Sequence, residues 1–385
     1  MKKVLFRAPV LTASGYGVHS RQIAEWLLKK DIDLTMQVLP WGINPWYIND
    51  NHLNGLVGRV MSKTKKISGI FDISIQVQLP NEWDPTLAKF NVGVSAMVET
   101  DICNPEWLQH INNMDLVIVP SKHNLETIKR TGEVTTKVVV IPESYFPEVV
   151  NNPGEDLIGL NLDTKFNFLM LGQLTGNNPH NDRKNTFWTI RWLCEIFKDD
   201  KDVGVILKSN SGRYTHIDNQ ITKNMMLTLI NEVRTGPYPK FYLLHGDLDD
   251  KQLSSLYHNE KVKAFVSLTR GEGFGLPILE AAVAGLPTIT TNWSGHLDFL
   301  NYGKTIKINC SLNDIHESRA DGKIFINGSK WAEPVEKDVK LKFKKFREKP
   351  NLPKQWAVEL SKRLIDTHSH ENICKQYDNL FMDLF

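Results

Sequence analysis

Two glutamates, Glu272 and Glu280, stand with seven residues between them around a glycine-rich turn, Gly271-Glu272-Gly273-Phe274-Gly275-Leu276-Pro277. Glycines this dense let a backbone turn sharply and come close to a ligand. Pro277 follows where a helix should begin, a place at which its missing N–H costs nothing. The start of that helix presents free N–H groups and partial positive charge to an anion. An anion site with a carboxylate at each end suits a phosphate whose neighbours carry hydroxyls, which describes a nucleotide sugar better than a bare nucleotide. The same string can also serve only as a strand-to-helix connection with solvated glutamates. It contains neither a Walker lysine nor a G-x-G-x-x-G pattern.

The elements that must position this loop follow from the alternation of short β-rich runs with helical stretches, which predicts an α/β protein with parallel sheets covered by helices. Strands are expected at 3–8, 34–39, 73–78, 92–97, 116–120 and 138–141, with helices at 18–30, 105–112 and 121–130. Ser121 is a natural N-cap for the last of these. A segment with Pro147 and Asn151-Asn152-Pro153-Gly154 reads as a linker, taken as 151–162. The pattern restarts after it, with strands at 166–172, 203–207, 241–244, 264–268 and 288–290 and helices at 185–198, 219–234, 250–258 and 277–284. This predicts two Rossmann-like doubly wound domains, 1–150 and 163–350, facing across a cleft in which a ligand would bind. Residues 351–385 read as a helical segment packing on the N-terminal domain.

The 385 residues are too many for one ordinary core, and the formal net charge of +2 supplies no general field for nucleic acid or membrane. Four scattered cysteines without a C-x-x-C pair fit a reduced compartment, so a cytoplasmic location is expected. Arg7 and Pro9 interrupt the apolar N-terminus at once, so it reads as a first strand rather than a leader, and no apolar run approaches bilayer length. His368-Ser369-His370 lacks an evident third metal ligand. The basic run 337–349 carries Phe343 and Phe346 and reads as a solvated helix face with its aromatics inward, or as a contact for an anionic acceptor.

With the second β/α block in view, the string from Glu272 to Glu280 closely resembles the E-x7-E signature of glycosyltransferase family 4, retaining enzymes of the GT-B fold. The resemblance covers roughly 165–300. It includes His245-Gly246, Leu256-Tyr257, Ala264-Phe265-Val266-Ser267 and Thr291-Asn292-Trp293-Ser294-Gly295. It implies that Glu280 holds the ribose hydroxyls and Glu272 the donor sugar, with backbone N–H groups around Gly273, Phe274, Gly275 and Leu276 near phosphate and sugar. It also implies an Arg and a Lys on the leaving diphosphate, for which Arg183 and Lys184 are the candidates. Lys208 and Gly246 are lesser donor contacts. Gly172-Gln173-Leu174 departs from the family's Gly-Arg-Leu.

In the first domain, Ser14-Gly15-Tyr16-Gly17 resembles the family's glycine loop, so Gly15 and Gly17 join the donor-site candidates. Glu99 stands where many relatives carry a histidine, as an acceptor-orienting group or base. Asp247-Leu248-Asp249 matches the D-x-D metal motif of a different glycosyltransferase fold, but acidic residues at this place also favour the start of the following helix. The expectation is therefore a retaining, metal-independent glycosyltransferase that uses a nucleoside diphosphate sugar, with no cofactor and no membrane insertion. Its acceptor stays open among a saccharide, a lipid-linked sugar, a protein and a modified DNA base. A nucleotide-sugar epimerase and a non-catalytic sugar-nucleotide-binding protein are the rival readings.

Overall fold

The structure, a computed structural model, describes the chain except residues 174, 177 and 211–213. It divides into two compact units: Met1–Ser144 with His370–Phe385, and Tyr145–Ser369.

The first unit runs β1 (Lys3–Ala8), α1 (Gly15–Leu27), β2 (Asp33–Val38), α2 (Leu56–Lys63), β3 (Phe71–Val77) and β4 (Ala88–Val94). It continues with α3 (Glu106–Asn112), β5 (Leu116–Val119), α4 (Lys122–Thr131) and β6 (Lys137–Val140). All six strands are parallel, in the order β2-β1-β3-β4-β5-β6. Their alternate residues, among them Val4, Phe6, Ile73, Ile75, Val92 and Val94, are buried in one core with Ile23, Ala24 and Leu27 of α1. Helix α1 starts at Gly15, three residues before the expected Val18, because the Ser14 hydroxyl caps the Gly17 N–H at 3.0 Å. Ser121 caps α4 in the same way. Helix α2 was not expected; only Leu56, Val57 and Val60 of it are buried, too short an apolar stripe to stand out in sequence.

The second unit begins with β7 (Phe166–Leu171), α5 (Thr186–Ile196), β8 (Val203–Lys208), α6 (His216–Val233) and β9 (Lys240–Leu244). Then come α7 (Asp250–His258), β10 (Val262–Ser267), α8 (Leu276–Val283), β11 (Thr288–Thr291), α9 (Leu297–Leu300) and β12 (Ile306–Ile308). Its six strands are also parallel, in the order β12-β11-β10-β7-β8-β9. The chain winds from β7 through β8 to β9, then restarts on the other side of β7 with β10. The strand order therefore reverses between β7 and β10, and their carboxyl ends splay open a crevice there.

Past β12 the structure departs from the sequence reading. An antiparallel hairpin, β13 (Cys310–Asp314) and β14 (Lys330–Pro334), occupies a stretch given no element. Most of β13 is exposed, so no apolar alternation marks it. Helix α10 (Glu336–Glu348) follows, with Val339, Phe343 and Phe346 buried in the core and its lysines outward. The terminal segment expected as one piece on the first unit is split. Helix α11 (Asn351–Thr367) belongs to the second unit, where the Ser361 hydroxyl donates to the Val283 carbonyl of α8 and Lys354 Nζ to the Gly285 carbonyl. Only α12 (His370–Phe381) joins the first unit. Its Tyr377 and Phe381 rings pack at 5.0 and 5.2 Å from Trp26, whose indole N–H donates to Asp378 at 2.6 Å. Residues 151–162, expected as the linker between the domains, lie within the second unit.

Candidate functional site

The crevice at the β7/β10 switch point is lined by Gly172 after β7, Lys208 and Ser209 at the end of β8, Ser267 and Leu268 at the end of β10, and Lys184. Two lysines thus face one pocket at the carboxyl ends of a parallel sheet. Asp182 sets the approach to α5. Its carboxylate accepts the Thr175 N–H and hydroxyl and the Lys184 N–H on one oxygen, and the Thr186 N–H on the other. With the helix start satisfied, Asn185 adopts a left-handed φ of 55° and Arg183 and Lys184 project ahead of the helix.

Both cations meet Glu272. Lys184 Nζ lies 2.7 Å from one carboxylate oxygen and Arg183 NH1 3.3 Å from the other. Burial by itself would push the Glu272 carboxyl up; the Lys184 ammonium and Arg183 guanidinium overcome this and hold it at about 2. Arg183 NH1 also donates to the Gly271 carbonyl at 2.6 Å. The loop is closed by the segment after β11. Ser294 Oγ accepts the Glu272 N–H at 3.0 Å, and Gly295 donates to the Glu272 carbonyl at 2.9 Å. A Cβ on Gly295 would sit 2.2 Å from the Gly273 carbonyl oxygen, so the close approach requires glycine. Gly275 has φ +103° and forms the N-cap of α8. Pro277 is accordingly the second helical residue rather than the first. Phe274 turns its ring into the core, 5.2 Å from Phe299 and 6.4 Å from His368, and Leu276 is buried. What these two can offer a ligand is backbone.

Glu280 lies one turn into α8, 8% exposed, and accepts the Tyr257 hydroxyl at 3.0 Å. Burial pushes its carboxyl up to about 8, against the lowering effect of that hydrogen bond. The loop therefore presents two unlike carboxyls, Glu272 held ionised and Glu280 held protonated at neutral pH. Lys208 Nζ donates to the Gly246 carbonyl at 2.6 Å, and the Gly246 N–H donates to Asn210 at 2.8 Å. Burial lowers the Lys208 ammonium to about 8, opposed by the Asp247 carboxylate. Asp249 of the D-x-D string caps α7 by accepting the Gln252 N–H at 2.8 Å. Among the described residues no group of three His, Cys, Asp or Glu side chains could hold a metal ion. Gln173 is exposed, and Leu174 lies outside the described residues.

The structure thus brings Arg183, Lys184, Glu272 and the 273–276 backbone together, with Lys208 and Gly246 at the next strand end and Glu280 behind the loop. Gly15, Gly17 and Glu99 belong to the first unit. Gly17 is packed so closely that a Cβ would stand 2.1 Å from the Thr12 carbonyl oxygen, whereas nothing lies within 4 Å of a Cβ on Gly15. Glu99 is half-buried, two residues after Met97 with its φ of 54°. Nearby, the Tyr16 hydroxyl accepts the Ala96 N–H and lies 3.0 Å from Ser95 Oγ, while its ring stacks on Trp41 at 3.8 Å. Sequence reasoning assigned no part to Asp182, Tyr257, Arg270 or His296. His296 is fully buried, with Nε2 2.8 Å from the Thr291 carbonyl and Nδ1 3.3 Å from Ser294 Oγ. The partners of Tyr257 and Arg270 are remote in sequence, while those of Asp182 and His296 are near but form no motif that marks a site.

Residues 240–318 match the family model described as Glycosyl transferases group 1, a span that contains the whole Glu272–Glu280 loop. Among curated protein sequences none matches the chain. Solved structures share its fold. A sucrose-phosphate synthase of Thermosynechococcus elongatus is 12% identical with a TM-score of 0.64, over 100% of this chain and 99% of that one. A glycosyltransferase of Rickettsia africae is 13% identical at 0.63, over 99% and 97%. The Anabaena protein Alr3699/HepE, solved in complex with UDP and glucose, is 13% identical at 0.60, over the full length of both. The chain has the two-domain Rossmann-like GT-B architecture of these glycosyltransferases. No described helix is long and apolar enough to cross a membrane.

Proposed function

We propose that this protein is a retaining glycosyltransferase that moves a sugar from a nucleoside diphosphate sugar, with UDP as the first nucleotide to test, to an acceptor hydroxyl without a metal. One observation carries the reading. A buried carboxylate, Glu272, is shared by Arg183 and Lys184 beside a pocket that Lys184 and Lys208 line at the sheet's switch point. Arg183 and Lys184 together exceed the charge of Glu272 by one unit, so the cluster has attraction left for a diphosphate. An arriving diphosphate draws both cations toward itself, and Glu272 is then free to accept hydroxyls of the sugar. As the bond from the sugar's anomeric carbon to the diphosphate oxygen breaks, its electron pair stays on the leaving group, where fixed cations stabilise it. The acceptor oxygen bonds to the same face, and its proton passes to a leaving phosphate oxygen. The group 1 match over 240–318 and the UDP and glucose bound by the Anabaena protein support this choice of donor.

The test is to screen nucleotide sugars by thermal shift, then follow hydrolysis of the best donor. Lys184→Ala and Glu280→Ala should each slow hydrolysis and transfer by about ten-fold or more. Full turnover by either variant refutes the assignment. Release of an isomeric donor in place of nucleoside diphosphate would identify an epimerase. Binding without either product would identify a non-catalytic protein.

A further inference from the structure

Arg270, the residue before the glycine-rich loop, is 2% exposed and ties three segments together. Its NH1 donates to the carbonyls of Pro179 and Asp182, both at 2.9 Å, in the segment that leads to Arg183 and Lys184. Its backbone N–H donates to the Arg183 carbonyl at 2.8 Å, and its own carbonyl accepts the Ala332 N–H at 2.9 Å. On its other side lies β14 of the hairpin. NH2 donates to Glu333 Oε2 at 3.1 Å, Nε lies 2.7 Å from Oε1 off the N–H line, and the guanidinium sits 5.0 Å over the Trp331 ring. A guanidinium this buried needs a counter-charge. Glu333 supplies it from an element lying outside the six-stranded parallel sheet.

We propose that the β13–β14 hairpin is part of the donor site's machinery: Glu333 fixes Arg270, and Arg270 is a positioning residue that sets Arg183 and Lys184 against Glu272. The proposal rests on the reading of Arg183 and Lys184 as the diphosphate's cations. Without the carboxylate, Arg270 must draw its partners from the 179–183 carbonyls or take in water, and either shifts the two cations relative to the loop. A shift of this kind acts on the leaving group's transition state, while Lys208 and the pocket walls still hold the donor.

The test uses Glu333→Gln, which keeps volume and removes charge, and Glu333→Asp, which keeps charge. Competitive acylation of the folded protein, read by mass spectrometry, needs no ligand. In Glu333→Gln, Lys184 should label faster while Lys129 on the first unit does not change. In donor hydrolysis, Glu333→Gln should lower kcat about ten-fold with KM little altered, and Glu333→Asp should restore most of it. In an Arg183→Ala background the same substitution should have a smaller effect, the part that acts through Lys184. The proposal is overturned if Glu333→Gln only lowers the melting midpoint, with Lys184 labelling and kcat per folded molecule unchanged, or if its effect multiplies with that of Arg183→Ala. A wild type that hydrolyses no nucleotide sugar while Lys184 labelling responds to Glu333→Gln removes the proposed function and leaves the positioning intact.

Discussion

Glu280 yields a prediction whose size and sign follow from the structure. Its carboxyl is buried against Tyr257 and pushed from 4.5 up to about 8. A folded-state value above the unfolded one means that the folded protein holds this proton more tightly. Its stabilising contribution is whole below pH 4.5 and declines as the pH rises, because the unfolded chain then releases a proton that the native one retains. The loss is complete once the pH passes the folded value near 8. A rise of 3.5 units, from 4.5 to about 8, corresponds to about 5 kcal/mol at 1.36 kcal/mol per unit. Glu280→Gln keeps the shape and cannot ionise, so it lacks this slope. Urea denaturation of both proteins from pH 5 to 9 isolates it: Glu280→Gln should gain on wild type by several kcal/mol across the range. Parallel stability curves would refute the reasoning. The same ionisation bears on ligand binding. Ribose hydroxyls donating to Glu280 favour its carboxylate, so UDP should bind more tightly as pH rises toward 8 and should release a proton at pH 7. Calorimetry in buffers of different ionisation enthalpy measures that proton, and Glu280→Gln should abolish it.

Other substitutions test single contacts. Tyr257→Phe removes the hydroxyl that lowers Glu280, so the midpoint of the pH-dependent UDP affinity should move upward. Gly17→Ala puts a methyl 2.1 Å from the Thr12 carbonyl oxygen and should cost about 1–3 kcal/mol in thermal or urea unfolding. Gly15→Ala has open space in a helical position and should be neutral or stabilise by about 0.5–1 kcal/mol. Gly295→Ala drives a methyl into the Gly273 carbonyl oxygen, and UDP binding measured by titration should weaken sharply as the loop is displaced.

Much of the fold was legible because parallel strands buried on both faces read as short apolar runs, and helices between them carry their own periodicity. Leu116–Val119, buried throughout, and the capped helix after Ser121 are cases where local sequence and final structure agree. The β13–β14 hairpin was not legible, since β13 is largely exposed and its pairing is long-range. Helix α11 was placed with the wrong unit because an amphipathic stripe says that a helix packs, not on what. The division between α11 and α12 at residue 369/370 is set by which core each stripe meets.

The donor loop shows the same limit at closer range. By residue type and spacing alone, the sequence determined a turn before a helix, two carboxylates with seven residues between them and a basic pair ahead of another helix. It also determined, through resemblance, which side chains to watch. What the spacing could not determine is that the two carboxyls differ, for protonation depends on what surrounds a group in space. Lys184, 88 residues away in sequence, and Arg183 beside it hold Glu272 ionised. Burial holds Glu280 protonated, against the lowering effect of the Tyr257 hydroxyl that meets it from 23 residues away. Charge and burial act over a few ångströms without regard to chain order, so only the tertiary structure could decide which carboxylate is which.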